Sequence, residues 1–252
     1  MPKAHCSHVA KRSCLRLWRF GLLLACIGSA NAQADSAGQD IAFKLTPSYY
    51  STSDDTRSLD INLRGNKGPH TAWLGQYNDG TGFAQTRTGY EYRSSFEWAR
   101  TVLSAQLASG GFAGGSVSAE IGHANYAIVG WGRTNLANYY NLNFDPNDAI
   151  TLGFGTRALP KTELAVYHLW DDRLPTEQRV THAVLRYKPS DSERWTVDVS
   201  NKRGLTGTGN WVNGFAWSVT YDFGDYFARL AVDQYVNFSD NNQTRVSLGL
   251  RF

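Results

Sequence analysis

The sequence predicts an all-β chain closed into a transmembrane antiparallel up-and-down β-barrel of about fourteen strands, or twelve if two predicted hairpins merge. Three observations carry this reading. After a short polar segment at 33–39, the chain divides throughout into strand-length stretches separated by turn residues, with no 3.6-residue apolar period. Within the clearest stretches apolar residues alternate with polar or charged ones, so one face of the sheet is oily and the other wet. The connections also alternate between tight and long.

The strands are expected at 41–51, 57–65, 70–78, 83–94, 97–108, 114–122, 125–134, 149–158, 161–171, 178–188, 194–202, 212–223, 226–238 and 243–252. In the second, Leu59, Ile61 and Leu63 alternate with Ser58, Asp60, Asn62 and Arg64. In the sixth, Val117, Ala119 and Ile121 alternate with Ser116, Ser118 and Glu120. In the eighth, Ile150, Leu152 and Phe154 oppose Thr151, Gly153 and Arg157. In the twelfth, Phe215, Trp217, Val219, Tyr221 and Phe223 oppose Ala216, Ser218, Thr220 and Asp222. The seventh and ninth alternate poorly, and their faces are not assignable from the sequence. Even-numbered connections such as Gly122-His123-Ala124-Asn125, Leu159-Pro160-Lys161 and Phe223-Gly224-Asp225 are short turns, whereas the longest, 135–148, 172–177 and 203–211, are all odd-numbered. That parity is what a barrel with both termini on the short-turn side requires, and an even strand count follows.

The last strand ends on its apolar face. Thr244, Val246, Leu248, Leu250 and Phe252 alternate with Arg245, Ser247, Gly249 and Arg251, and the chain stops on the aromatic. This ending resembles the C-terminal signal of Gram-negative outer-membrane β-barrels, whose terminal Phe is recognised for insertion. The resemblance implies an outer-membrane location, outer-membrane lipid as the surroundings and the barrel assembly machinery as a partner through Phe252. It extends to the general class and not to a particular family.

The N-terminal end agrees. Lys3, Lys11, Arg12, Arg16 and Arg19 precede the apolar run 20–27, and Ala30-Asn31-Ala32 and Ala32-Gln33-Ala34 are small-residue cleavage sites. This is the pattern of a secretory signal peptide over 1–34, cleaved near 32 or 34, with a single barrel domain at 35–252. The run is shorter than the roughly 20 apolar residues a spanning helix needs. A competing reading is lipidation, since Leu23-Leu24-Ala25-Cys26 approximates the box before a lipid-modified cysteine.

Removal of that segment changes the chemistry. Of 25 basic residues five lie in it, and none of the 22 acidic ones does, leaving 20 against 22. The basic pI therefore gives no argument for nucleic acid. Cys6, Cys14 and Cys26 lie there too, so the mature chain has neither a disulfide framework nor thiolate chemistry.

In a membrane only a closed barrel pairs every backbone group of a sheet, so the polar face lines the interior. The expected inward set is Lys44, Asp60, Arg64, Arg87, Glu91, Arg100, Glu120, Arg157, Arg186, Asp198, Lys202, Arg229, Asp233, Arg245 and Arg251, ten cations to five acids. Arg64, Arg87, Arg100, Arg157, Arg186, Arg229 and Arg245 are the candidate pore-lining residues. One outcome is that these charges pair across the lumen into a plug, for which bidentate arginine is suited. The other is that surplus guanidinium groups line a monomeric, porin-like pore for passive diffusion of small, anionic solutes. Fourteen strands leave room for water unless a segment folds in; the candidates are the 135–148 connection and the polar segment before the first strand. The alternative function is a non-conducting barrel, either a surface enzyme or an accessory to envelope polysaccharide export.

An enzymatic site would draw on His168, Asp171, Asp172 and His182 at the outer rim, a histidine and carboxylate pair being able to act as base and orienter. No arrangement like the His-x-Ser-Asn-Gly of outer-membrane phospholipases accompanies them. Asp145-Pro146-Asn147-Asp148 offers oxygen ligands at short spacing but lacks the glycine and distal glutamate of an EF-hand loop, and reads as a turn. No metal or other cofactor is expected. Tyr139, Tyr140, Phe144 and Trp211 are either stacking surfaces for sugars at a pore mouth or interfacial aromatics.

Overall fold

The computed structural model describes residues 40–142 and 145–252; the expected signal peptide lies outside the described residues. Fourteen strands follow one another: β1 (Ala42–Thr52), β2 (Arg57–Lys67), β3 (His70–Asn78), β4 (Ala84–Ser95), β5 (Ala99–Ala108), β6 (Phe112–Gly122), β7 (Asn125–Thr134), β8 (Ile150–Thr156), β9 (Thr162–Trp170), β10 (Arg179–Tyr187), β11 (Glu193–Leu205), β12 (Trp211–Phe223), β13 (Tyr226–Asp233) and β14 (Gln243–Arg251). Each pairs antiparallel with its chain neighbours, and β1 pairs with β14, closing the barrel.

Most strand boundaries fall within two residues of the sequence reading, and the two largest differences have local reasons. β13 stops at Asp233 rather than 238, because Tyr235, Asn237 and Phe238 take positive φ and the chain curls through a short 3₁₀ turn, Val236–Phe238. Strand geometry cannot pass through left-handed residues. β11 runs on to Leu205 instead of 202, its last pairs being Gly204 with Val212 and Leu205 with Trp211.

The barrel is apolar outside and polar inside. Phe154 is 67% exposed and Leu59 61%, while Lys202 is 0% and Asp233 2% exposed. Such a distribution has a physical rationale only if the outer face meets lipid. Trp195, Tyr221, Phe223 and Tyr226 stack in succession on the outer face at the short-turn end, with centroid distances of 4.2, 5.3 and 5.9 Å, as part of an interfacial girdle.

Inside, three rings lie across glycines on the neighbouring strand: Trp73 opposite Gly89, Tyr126 opposite Gly155 and Phe227 opposite Gly249. At Gly249 a Cβ would take space the Phe227 ring occupies. Aromatic–glycine pairs of this kind let a large lumen ring lie flat on the wall and cover the backbone.

The barrel closes at a seam with one gap. β1 and β14 are in register from Leu45↔Leu250 to Ser48↔Ser247, but no pair forms between, where Pro47 has no N–H to donate. At the short-turn end the seam is fastened by Phe252. Its N–H donates to Phe43 O at 3.0 Å, its carbonyl accepts from Phe43 N–H at 2.7 Å, and the two rings stack at 5.7 Å.

Candidate pore lumen

Strand parity determines which side chains enter the lumen. Six of the seven candidate arginines fall on inward strand positions, and Arg157, one residue past β8, bonds the inward Glu120 and Glu163. Near the short-turn end most charges are paired: Arg64 with Glu91 at 3.3 Å, Arg93 with Glu91 at 2.6 Å, Arg157 with Glu120 and also with Glu163 at 3.2 Å, and Arg186 with Glu163 at 3.1 Å. Arg194 and Arg251 share Asp222. Arg100 stands in register opposite Glu120 and is exposed. Farther in, Arg87 bonds Asp60 at 2.7 Å, with both side chains buried.

Arg229 and Arg245 lie apart from this belt. Arg229 donates from Nε to Thr220 Oγ1 at 2.8 Å, and Arg245 donates to the carbonyl of Leu142 at 2.9 Å. With Lys44, Arg64 and Arg87 they surround a cavity of about 340 Å³ on the β1–β4 and β13–β14 side of the lumen. Asp60 is the one acid among the described residues that line it. Lys44 lies 4.0 Å above the Phe227 ring, and neither it nor Arg229 forms an ion pair among the described residues. The charges thus form a paired belt near one end, and cations outnumber acids among the described residues lining the cavity above it.

The long β7–β8 connection folds into the barrel. Tyr140 exchanges two hydrogen bonds with the Gln85 amide on β4, at 2.9 and 3.1 Å, and its hydroxyl accepts one from Gln243 on β14 at 3.0 Å. The Tyr140 ring stacks on Tyr77 at 4.7 Å, and Tyr139 stacks on Phe112 at 4.2 Å. On the far wall, Asp145 meets His182 Nε2 of β10 at 2.7 Å, and the other ring nitrogen of His182 meets Asp198 at 2.9 Å. Anchors on β3, β4 and β14 and on β10 lie on opposite arcs of the ring, so the connection straps across the lumen.

The strap divides the free space. Opposite the basic chamber a second cavity of about 240 Å³ lies against a wall of small inward residues, among them Gly114, Ser116, Ser118, Gly130, Gly132 and Thr151. Those glycines explain why β7 alternates poorly: its inward face carries Tyr126, Ile128, Gly130 and Gly132, and no charge. β9 is irregular because Ala165, Tyr167 and Leu169 face inward against the strap side, leaving the polar His168 outward.

The Asp145–Asp148 turn brings no carboxylates together. Asp145 goes to His182, and Asp148 bonds the Thr134 hydroxyl at 2.5 Å and Arg173 at 2.8 Å. Burial disfavours the ionised form of Asp148, but the Thr134 and Arg173 contacts outweigh it and hold its pKa below the usual aspartate range. Phe144 lies outside the described residues; Trp211 is exposed on the outer face.

The four rim residues are also dispersed. In register His168 faces Thr181 and His182 faces Tyr167, so the histidines point to opposite sides of the wall. His168 Nδ1 lies 2.8 Å from Thr181 Oγ1. Asp171 caps its own turn, accepting from the N–H groups of Arg173 and Leu174. Asp172 pairs with Arg133 at 2.5 Å, which keeps its carboxyl below the usual range. No base and orienter pair forms among these four.

A closed antiparallel barrel with an apolar exterior, an aromatic girdle and a strap across a charged interior is an outer-membrane β-barrel of porin-like fold. No protein-family model matches the chain, and no curated protein matches it in sequence. Among solved structures it is similar to the Acinetobacter baumannii outer membrane protein Omp33, with a TM-score of 0.53 and 8% identity over 85% of this chain and 100% of that one. Acinetobacter baumannii OccAB3 aligns at a TM-score of 0.47 and 6% identity over 84% of this chain and 98% of that one. A Rhodopseudomonas blastica porin triple mutant aligns at 0.47 and 9%, over 84% and 99%.

Proposed function

We propose that the mature chain is a monomeric channel of the Gram-negative outer membrane through which small anionic solutes diffuse past the strap. The observation that carries this is the basic chamber. Lys44, Arg64, Arg87, Arg229 and Arg245 meet around one cavity in which Asp60 is the one acid among the described lining residues, Arg64 also pairing with Glu91 beyond it, and rings of guanidinium groups in a narrow pore favour anions. The strap narrows the lumen and holds Leu142 beside Arg245, so a solute crossing on that side passes these cations at close range.

The test is planar-bilayer recording of the refolded mature chain under a salt gradient. Stable conducting steps with a reversal potential of anionic sign are expected, and the triple substitution Lys44→Ser, Arg229→Ser and Arg245→Ser should move that potential toward zero while the folded band on an unheated gel persists. A folded parent that does not conduct would remove the channel. A conducting parent whose selectivity ignores the three substitutions would remove the anion chamber.

A further inference from the structure

The outer face of the wall carries a basic patch that the lumen does not use. Along β8 to β12, one row of outward side chains, Phe154, Val166, Ala183, Val199 and Trp217, is apolar. The next row toward the long-connection end reads Leu152, His168, Thr181, Asn201 and Phe215. The row beyond it reads Ile150, Trp170, Arg179, Arg203 and Asn213. The face therefore passes from oil through neutral polar groups to cations within three rungs, as a membrane-facing surface does where acyl chains give way to headgroups.

The two arginines are the unusual part. Arg179 and Arg203 are directly opposed across the β10–β11 ladder, both are exposed, and neither forms an ion pair among the described residues. Like charges facing each other on one face of a sheet are destabilising unless an anion joins them. Both also lie within electrostatic reach of His168, whose ring is held by Thr181 and stacked on Trp170. Of the nearby acids, Asp172 is committed to Arg133 and Asp171 to its own turn, while Glu177 lies exposed in the connection before β10 and forms no ion pair with either arginine among the described residues.

We propose that this patch binds a phosphorylated glycolipid of the outer leaflet. A phosphate lies between Arg179 and Arg203, with His168 and Asn201 beside it, and the acyl chains lie down the apolar row of Phe154, Val166 and Val199. Arginine suits this occupant because its planar fork bonds phosphate bidentately, and basic pockets at membrane level recognise lipid headgroups in this way. The proposal rests on the barrel being seated in an outer membrane with its long connections outward; it is independent of whether the lumen conducts.

The test uses the refolded mature chain in detergent, with diphosphorylated lipid A as the probe and bound lipid counted by native mass spectrometry. The parent should retain the probe, and Arg179→Gln with Arg203→Gln should lower retention by at least roughly ten-fold, since a single lost charge-assisted contact is already of that scale and two are removed. Arg57→Gln, at the outer end of β2, should leave retention unchanged. Fully dephosphorylated lipid A should bind the parent no better than the double variant. Equal retention by parent and double variant would overturn the proposal, as would undiminished binding of the dephosphorylated probe. Full displacement by millimolar inorganic phosphate would make the patch a site for free anions and overturn the lipid assignment. The single variants, each scored for folding by heat-modifiable mobility, give the same readout should the double variant not fold. Bilayer conductance of the double variant should match the parent, which separates this test from that of the channel.

Discussion

Lys202 illustrates how a charge is carried in this wall. From its position opposite Gly214 on β12 its side chain reaches Asp233 on β13, which stands opposite Ala216 of β12, and both ends are buried, with the ammonium 5.7 Å from the centre of the Phe238 ring. Removing one member of a buried pair strands the other, at a cost of about 3–5 kcal/mol, whereas replacing both with apolar groups of similar volume is often close to neutral. Lys202→Met should therefore lower the urea midpoint of the folded band markedly, and Lys202→Met with Asp233→Leu should recover most of that loss. A double variant as weak as the single one would show that the site depends on more than this pair. Both residues are legible as inward from the alternation of their strands, but their pairing is not. It needs the register and the two small residues between them.

Among the elements, the β7–β8 strap matters most to the lumen. Its length and odd position mark it as a candidate to fold in, yet its anchors are single polar residues, Gln85, Gln243 and His182, scattered over three strands and carrying no motif. The strand count, the closed topology and the inward arginines follow from period-two alternation. The strap's path and the small-residue wall opposite do not, because glycine and serine positions on β6 and β7 blur that alternation. Cutting one anchor on each arc, with Gln85→Ala and His182→Ala, should turn quiet single-channel steps into flickering ones of larger mean conductance; unchanged current would mean the remaining contacts suffice. The strap's root has a separate control. Asp148 is held ionised below the usual aspartate range by Thr134 and Arg173, so its clamp is complete above the unfolded-state pKa and is lost only as pH falls through the lower folded value. Protease cleavage within the connection should stay slow through mildly acidic pH and rise in stronger acid. In Arg173→Gln the rise should begin at a higher pH.

At the scale of the whole molecule, stability depends on closure, because a sheet in lipid cannot leave an edge unpaired. The β1–β14 seam is the last ladder the chain can complete, and Pro47 leaves a gap in it. Phe252 compensates at the short-turn end through two backbone hydrogen bonds to Phe43 and a stacked ring on the outer face. The same residue is where the sequence resembles the insertion signal of outer-membrane barrels, so packing and recognition make competing claims on one side chain. Refolding into detergent separates them, since no assembly machinery is present there. Phe252→Ala keeps both backbone bonds and loses only the ring. If its chief role is to close the seam, the variant should refold in detergent with lower yield and a lower unfolding midpoint, and Phe252→Tyr should restore both. If its chief role is recognition, Phe252→Ala should refold like the parent in detergent yet fail to accumulate as folded barrel in cells. The ring's exposure on the outer face, with Phe43 its one ring contact among the described residues, and the intact backbone pairing favour the second outcome: near-normal refolding, with the loss confined to assembly in the membrane.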